Sequence, residues 1–413
     1  MDLTQTAHRI AAMALLVVMA WTVVACRDSA PAPTPTPELE VVVFATVAPT
    51  PTMPPTPTPS PTPQPSPTPT PATAVSDAPP AIPASQRVSS PDNRAPNENP
   101  LTGLPVDDPA VLHRRPLMVR IGNDPIARPQ VGLDQAEIVY EELVEWGITR
   151  FTAIFLSQTP EVIAPIRSAR LINLYLTPQY QGVLANSGAS DPVRWELSQS
   201  DIINLDEFFI PDPFFYRENE GWATRLALNA QAARDYLQRE GLEADVSLRG
   251  FYFNPAPDVS AFPPEAIAPA KDIYIPYPPQ TSDARWVYDD TQGLYLRYTQ
   301  GEPMTNPDGE QLTAANVIIY FAEHQATDIV EDINGATSIR ILMNGQGTAW
   351  VLRDGGILKG NWETDGSQTP RFFFNNGQDI PLKPGNTWIE VVPLEYTITI
   401  DGQEHTRLEG SGQ

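Results

Sequence analysis

The chain has one cysteine, Cys26, in 413 residues. No intramolecular disulfide can form, so packing alone must hold the folded part together. Basic residues are few: 26 Lys and Arg stand against 50 Asp and Glu, for a formal charge of −24. That balance argues against nucleic acid, whose phosphates call for a basic face. It argues equally against unaided docking on anionic lipid, which calls for Lys/Arg clusters. The charge itself serves solubility. The apolar run Ile10–Ala25 has sixteen residues, short of the ~20 that span a ~30 Å hydrocarbon core. Histidine is also scarce, and His113, His324 and His405 fall in three separate regions, which leaves a Ser-His pairing little to use. There is no P-loop and no G-x-S-x-G elbow. Gly345-Gln346-Gly347 lacks the third glycine of a dinucleotide loop and joins two strand-like segments. No long internal repeat is present, and no cofactor is expected.

Proline is what the chain has in excess. Of 47 prolines, nineteen lie between Pro31 and Pro83. Pro49–Pro71 alternates proline with Thr or Ser almost throughout. Such a segment has too little apolar surface to offset its ordering entropy. As polyproline II its 23 residues reach about 70 Å at ~3.1 Å per residue. Ahead of it stand His8-Arg9, the run Ile10–Ala25, and a small residue before Cys26, the order of a secretion signal. Val23-Val24-Ala25-Cys26 resembles the bacterial lipobox. The resemblance implies cleavage before Cys26 and lipidation of its thiol and new amino terminus. The expectation is a signal peptide over 1–25, a disordered Pro/Thr-rich spacer over 26–97, and a body tethered by lipid to the extracytoplasmic face of the membrane. An uncleaved membrane helix or an incidental buried thiol suits this setting less well.

The folded part begins near the turn Asn99–Pro105. Pro116–Gly122, Arg150–Leu156 and Gly182–Asn186 are apolar and read as strands. Gly132–Trp146 carries Leu133, Ala136, Val139, Leu143 and Trp146 at helix-like spacing, though its middle, Glu137–Leu143, suits a strand equally. Ser168–Leu176, stopping at Pro178, and also Pro192–Ser200 and Ala227–Glu240, suit helices. Alternating helices and strands predict an α/β N-terminal domain over 98–245. A Pro-rich connecting segment follows over 246–280. Beyond it Arg285–Tyr288 and Leu294–Tyr298 flank a hairpin turn. Ala315–Phe321, Ile339–Met343, Thr348–Arg353, Arg371–Phe374 and Trp388–Pro393 are further strands, and Asn-Gly and Asp-Gly turns separate several of them. The period predicts a β-rich C-terminal domain over 281–395, with a tail over 396–413.

Several long stretches carry a family resemblance. They include Asn99–Pro105, Arg128-Pro129-Gln130, Ala136–Glu141, Gly147–Phe151 and Pro165–Arg170, then Gly345-Gln346-Gly347, Gly360-Asn361-Trp362 and Leu382–Ile389. Together the matching stretches cover roughly residues 99–393. In them the chain resembles the YerB family of bacterial lipoproteins, whose two parts are the DUF3048 domains. The resemblance implies a lipid-anchored, two-domain extracytoplasmic protein with no agreed activity. The family tends to have a hydrophobic, His-Asn-like stretch where this chain has Ala223-Thr224-Arg225-Leu226-Ala227.

The strongest chemical candidates are four arginines, Arg128, Arg150, Arg167 and Arg170. Guanidinium is planar, always charged, and grips phosphate or carboxylate with two parallel bonds. Arg167 and Arg170 share a face if they open a helix, where free amides also favour an anion. The competing reading pairs these arginines with Asp124, Asp134, Glu137, Glu141, Glu142 and Glu145. Glu141 and Glu145 are weak candidates for Mg²⁺ or Ca²⁺, because no DxDxDG-type loop accompanies them. In the loop Asn186–Asp191, Asn186 and Ser190 offer an anion cradle, or simply cap the next helix. Trp286, Trp350, Trp362 and Trp388 suit a glycan platform or, more commonly, a core. Three readings follow. The first is a non-enzymatic binder of an anionic or peptide cell-envelope ligand through these arginines. The second is a Mg²⁺-dependent enzyme on lipid-linked phosphate or a wall substrate. The third is a structural scaffold. No motif assigns an oligomeric state.

Overall fold

Leu117–Gly122, Ile148–Phe155 and Thr387–Pro393 are buried at almost every position. Strands without alternation lie inside a sheet covered on both faces, and here they define the architecture. The computed structural model describes residues 87–408. The expected signal segment, Cys26 and residues 26–86 of the expected spacer lie outside these residues. The last part of that spacer, from residue 87, is instead tied to the body, Ser89 bridging Phe253 and Arg94 donating to Arg249 O and Phe251 O.

The strands, in chain order, are β1 (Leu117–Gly122), β2 (Ile138–Val144), β3 (Ile148–Phe155), β4 (Val183–Asn186), β5 (Ile203–Asp206), β6 (Phe214–Tyr216) and β7 (Leu226–Leu228). Next come β8 (Ile267–Pro269), β9 (Asp272–Ile275), β10 (Ala284–Asp289), β11 (Leu294–Thr299), β12 (Glu302–Pro303), β13 (Thr313–Ala314) and β14 (Asn316–Val330). The last are β15 (Thr337–Leu342), β16 (Gly345–Arg353), β17 (Gly356–Thr364), β18 (Arg371–Phe373), β19 (Thr387–Pro393), β20 (Thr397–Ile400) and β21 (Gln403–Thr406). The α-helices among the described residues are short: α1 (Asn173–Gln179), α2 (Asp191–Ser198) and α3 (Ala230–Arg239).

Twelve strands form one mixed sheet in the order β18-β17-β16-β14-β19-β2-β3-β1-β4-β5, with β15 on β14 and β8 on β17. Seven more form a second sheet, β12-β11-β10-β9-β20-β21 with β13 on β11, and β6 and β7 make a ribbon. β19 pairs in parallel with β14 on one side and with β2 on the other. The sheet therefore runs unbroken through the segments on both sides of 246–280. That proline-rich stretch itself supplies β8 and β9, and residues 397–406 form a hairpin that pairs with β9.

The N-terminal region is less helical than an alternating α/β pattern predicts. Only β1, β4 and β5 are parallel neighbours; β2 and β3 run antiparallel. Within Gly132–Trp146 the strand alternative holds: β2 occupies Ile138–Val144 between 3-10 turns at Leu133–Gln135 and Glu145–Gly147, and its burial on both faces makes apolar spacing uninformative. The helix expected over Ser168–Leu176 begins only at Asn173 and takes in Pro178. Side chains claim the carbonyls that a helix there would need: Ser168 O accepts from Arg150 and Ala169 O from Arg170.

Apolar clusters fill both faces of the large sheet. One joins Val119, Phe151 and Trp388 to Trp286 and Ile273 of the second sheet. The other gathers Met118, Tyr140, Ile318 and Phe253. Trp286, Trp350, Trp362 and Trp388 are all buried and belong to these cores. Each large apolar side chain so buried contributes about 1.5–3 kcal/mol.

Candidate anion-facing site at the carboxyl ends of three parallel strands

β1, β4 and β5 run in the same direction, so their carboxyl ends bring Gly122–Asp124, Asn186–Ser190 and Asp206–Phe209 side by side. In open parallel sheets this edge is where ligands bind. The segment after Ile166 is laced to the β4 end: Ser187 N donates to Arg167 O (3.0 Å) and Ala169 N to Gly188 O (2.9 Å). Gly188 has φ +70°, a conformation glycine adopts without cost. A Cβ there would lie 2.9 Å from the Phe208 ring. The loop, the arginine segment and the aromatic residues after β5 thus form one tightly fitted edge.

Behind this edge a polar row crosses one face of the sheet. Glu142 opposes Arg150, Arg120 opposes Thr152, and Asn186 opposes Asp206, and opposed residues share a face. Arg120 Nη1 donates to Glu142 and, at 2.6 Å, to Thr152 Oγ1. Arg170 grips Glu145 with two bonds, Nε to Oε2 at 2.8 Å and Nη2 to Oε1. Arg150 donates to Ser168 O (3.2 Å) and to Glu145 Oε1 (3.3 Å). Arg167 Nη2 donates to Ala223 O at 2.7 Å and lies 3.5 Å from Asp124 Oδ2.

This crowding shifts the titrations. Burial, then the charge of Arg170, lowers Arg150 to about 9. Burial also pushes Glu142 up to about 7 despite the neighbouring Arg120. Burial would raise Glu145 too, but the bond from Arg170 and the charges of Arg150 and Arg170 hold it at about 2.

Arg150, Arg167 and Arg170 therefore converge, and Arg128 does not join them. Arg128 donates to Asn123 O (2.7 Å), Thr281 O (2.5 Å) and Gln300 Oε1 (2.9 Å), tying the β1 end to the second sheet. Burial, then the charge of Arg297, lowers it to about 10. Glu141 and Glu145 are also separated. Glu141 accepts from Asn123 and Thr149 and lies 2.9 Å from Arg297, while Glu145 serves the arginines. Among the described residues no group of three or more His, Cys, Asp or Glu is arranged to hold a metal ion. Asn186 Nδ2 donates to Asn204, and its Oδ1 has no partner. Ser190 stands at the start of α2 without a side-chain cap bond, its Oγ buried and unpartnered.

Sequence reasoning missed two parts of this site. Arg120 is the first, though a charge inside the apolar run Pro116–Gly122 was its signal. The exposed aromatic rim is the second. Phe208 and Phe209 are 68% and 69% exposed, and Tyr216, Trp195 and Trp222 are also exposed. The Arg194 guanidinium sits 5.5 Å and 5.3 Å from the two Phe ring centroids, and Arg225 sits 4.7 Å from that of Tyr216. Glu207 links the parts, accepting from Tyr216 Oη (3.1 Å) and Ser187 Oγ (3.0 Å). The arrangement offers cations and flat apolar faces to solvent, in front of a neutralised buried cluster.

Comparison with known proteins places this architecture. Residues 101–243 match the N-terminal domain, and residues 273–389 the C-terminal domain, of the family described as protein of unknown function DUF3048. A Bacillus subtilis (strain 168) protein provisionally named lipoprotein YerB is 28% identical over 319 residues, covering 76% of this chain and 91% of its own. The crystal structure of the YerB protein from Bacillus subtilis superposes with a TM-score of 0.60 at 25% identity, covering 71% of this chain and 96% of that one. The chain belongs to the YerB family, and the large sheet described above is built jointly by its two matched segments.

Proposed function

We propose that this protein is a lipid-anchored lipoprotein on the extracytoplasmic face of the cell membrane, and that its body binds an anionic or peptide ligand of the cell envelope. The relative's lipoprotein name and the lipobox-like run ending at Cys26 support the anchor. The proline tract then acts as a spacer between membrane and body. The observation that carries the binding reading is the rim itself: exposed Phe208, Phe209 and Tyr216 with Arg194 and Arg225 lying over their faces, beside Arg167. Arg167, Arg194 and Arg225 line this rim, and the buried, ion-paired Arg150 and Arg170 stand directly behind it. Exposed aromatic residues and arginines are the residue types that dominate binding energies.

The test is a titration of the full chain in detergent micelles with soluble fragments of purified cell wall, followed by calorimetry. Saturable binding is expected. Arg194→Ala and Phe208→Ala are each expected to weaken it by about 1–2 kcal/mol, roughly tenfold. Unchanged affinity in both variants would remove the rim from the site.

A further inference from the structure

The arginine cluster is closed by a part of the chain remote in sequence. Residues 316–322 of β14 lie within the large sheet, between β16 and β19. From Glu323 onward β14 pairs with β15 alone, so a hairpin arm, residues 323–342, leaves the sheet. The arm lies against the N-terminal region. Ile329 packs on the cluster of Ala169, Leu171, Leu184, Val193 and Leu197. Arg340 Nη2 donates to Glu196 Oε1 at 2.8 Å, and Trp146 Nε1 donates to Asp332 Oδ2 at 2.6 Å. At the tip Ile333 is fully exposed.

Between these ties, Glu331 points its carboxylate into the cluster. Its side chain is 1% exposed, and Oε2 lies 3.5 Å from Arg170 Nη1. Neither of its oxygens accepts a hydrogen bond. A buried carboxylate ordinarily takes several, because leaving one unbonded costs free energy. In the same cluster Arg150 Nε and Arg120 Nη2 are buried donors without acceptors. Glu142 Oε2 likewise has no donor, so unspent donors and acceptors sit in one cluster, held apart by geometry.

We infer that the arm is a strap and that Glu331 occupies the place of a ligand's anionic group in the unliganded protein. A phosphate or carboxylate carried by the ligand meets Arg170 Nη1 and Arg150 Nε with freely oriented oxygens, which Glu331, fixed at its strand end, does not. Entry of that group expels Glu331 and frees the tip of the arm. The inference rests on the anionic-ligand reading above and adds its regulation: the chain competes with its own ligand.

The experiment uses the full chain, with inorganic phosphate as the probe, and reads affinity by calorimetry and amide hydrogen exchange over residues 323–342. Glu331→Gln keeps the shape and removes the charge. It is expected to bind phosphate about tenfold more tightly than the unaltered chain, and phosphate is expected to speed exchange in the arm of the unaltered chain. Equal affinities with arm exchange unmoved would overturn the strap and leave the rim reading standing. No phosphate binding by either chain would also overturn the strap, and the cell-wall titration then decides the rim separately. Should the variant prove unstable, the exchange response of the unaltered chain alone decides.

Discussion

At the scale of single residues, the interior forces two carboxyl groups to share what one guanidinium provides. Glu141 and Glu390 oppose each other across β2 and β19, and both are fully buried. Arg297 reaches Glu141 at 2.9 Å, while Glu390 accepts from Trp286 Nε1 at 2.7 Å. Burial, then the charge of Glu141, pushes Glu390 well above the carboxylate range. Glu142, at about 7, is raised in the same sense. A carboxyl whose folded value is raised holds its proton in the folded chain where the unfolded chain has released it, so stability falls as pH climbs from the ordinary range through the folded value. For Glu142 that window runs from about 4.5 to about 7. Glu145 works the other way: its value of about 2 gives stability that is present above the ordinary range and lost as pH falls. The denaturation midpoint in urea is therefore expected to peak at about pH 5 and decline on both sides. Glu390→Gln keeps an acceptor for Trp286 and removes the titration. It is expected to match the unaltered chain at pH 5 and exceed it at pH 8, which a pair of urea series checks.

At the scale of elements, the loop between β4 and α2 carries the site. Gly188→Ala puts a side chain at φ +70° and drives a Cβ to 2.9 Å from Phe208 and 3.1 Å from Arg194. The expected cost is about 1–3 kcal/mol of stability, seen as a lower urea midpoint, with a loss of rim binding beyond what unfolding explains. Elements like this one were readable to different depths. β1, β3 and β4 showed as apolar runs, and the β10–β11 hairpin showed through its turn, because local chemistry dictates them. The spacing around β2 suits helix and strand alike, and the strand alternative over Glu137–Leu143 is the one that holds; a strand buried on both faces has no period to decide it. The late start of α1 was hidden because the carbonyls of Ser168 and Ala169 answer side chains, Arg150 among them from a different strand. Three of the four arginines singled out in sequence do converge. Which aromatic residues face solvent, and that Glu331 reaches Arg170, depend on contacts between distant segments that no local pattern encodes.

At the scale of the whole molecule, the two matched family segments are expected to behave as one folding unit, because they share one sheet across the β2–β19 pairing. β2 pairs along its outer edge with β19, from Ile138↔Thr387 to Glu142↔Val391. Phe151 meets Trp388 edge-on at 5.4 Å across the same seam, and Arg297 neutralises Glu141 from the second sheet. A fragment ending near residue 263 would bare the edge of a strand buried on both faces, a surface that recruits other chains. It would also strand Glu141 without its cation, at a cost of about 3–5 kcal/mol. Against a total stability of about 5–15 kcal/mol, that loss joined to the exposed apolar seam is decisive. The fragment is expected to aggregate, as size-exclusion chromatography would show. The full chain is expected to unfold in urea as one transition, with tryptophan fluorescence and far-UV circular dichroism coinciding. Two separated transitions would mean that the seam between β2 and β19 adds little to the stability of either part, and that each segment holds its half of the sheet alone.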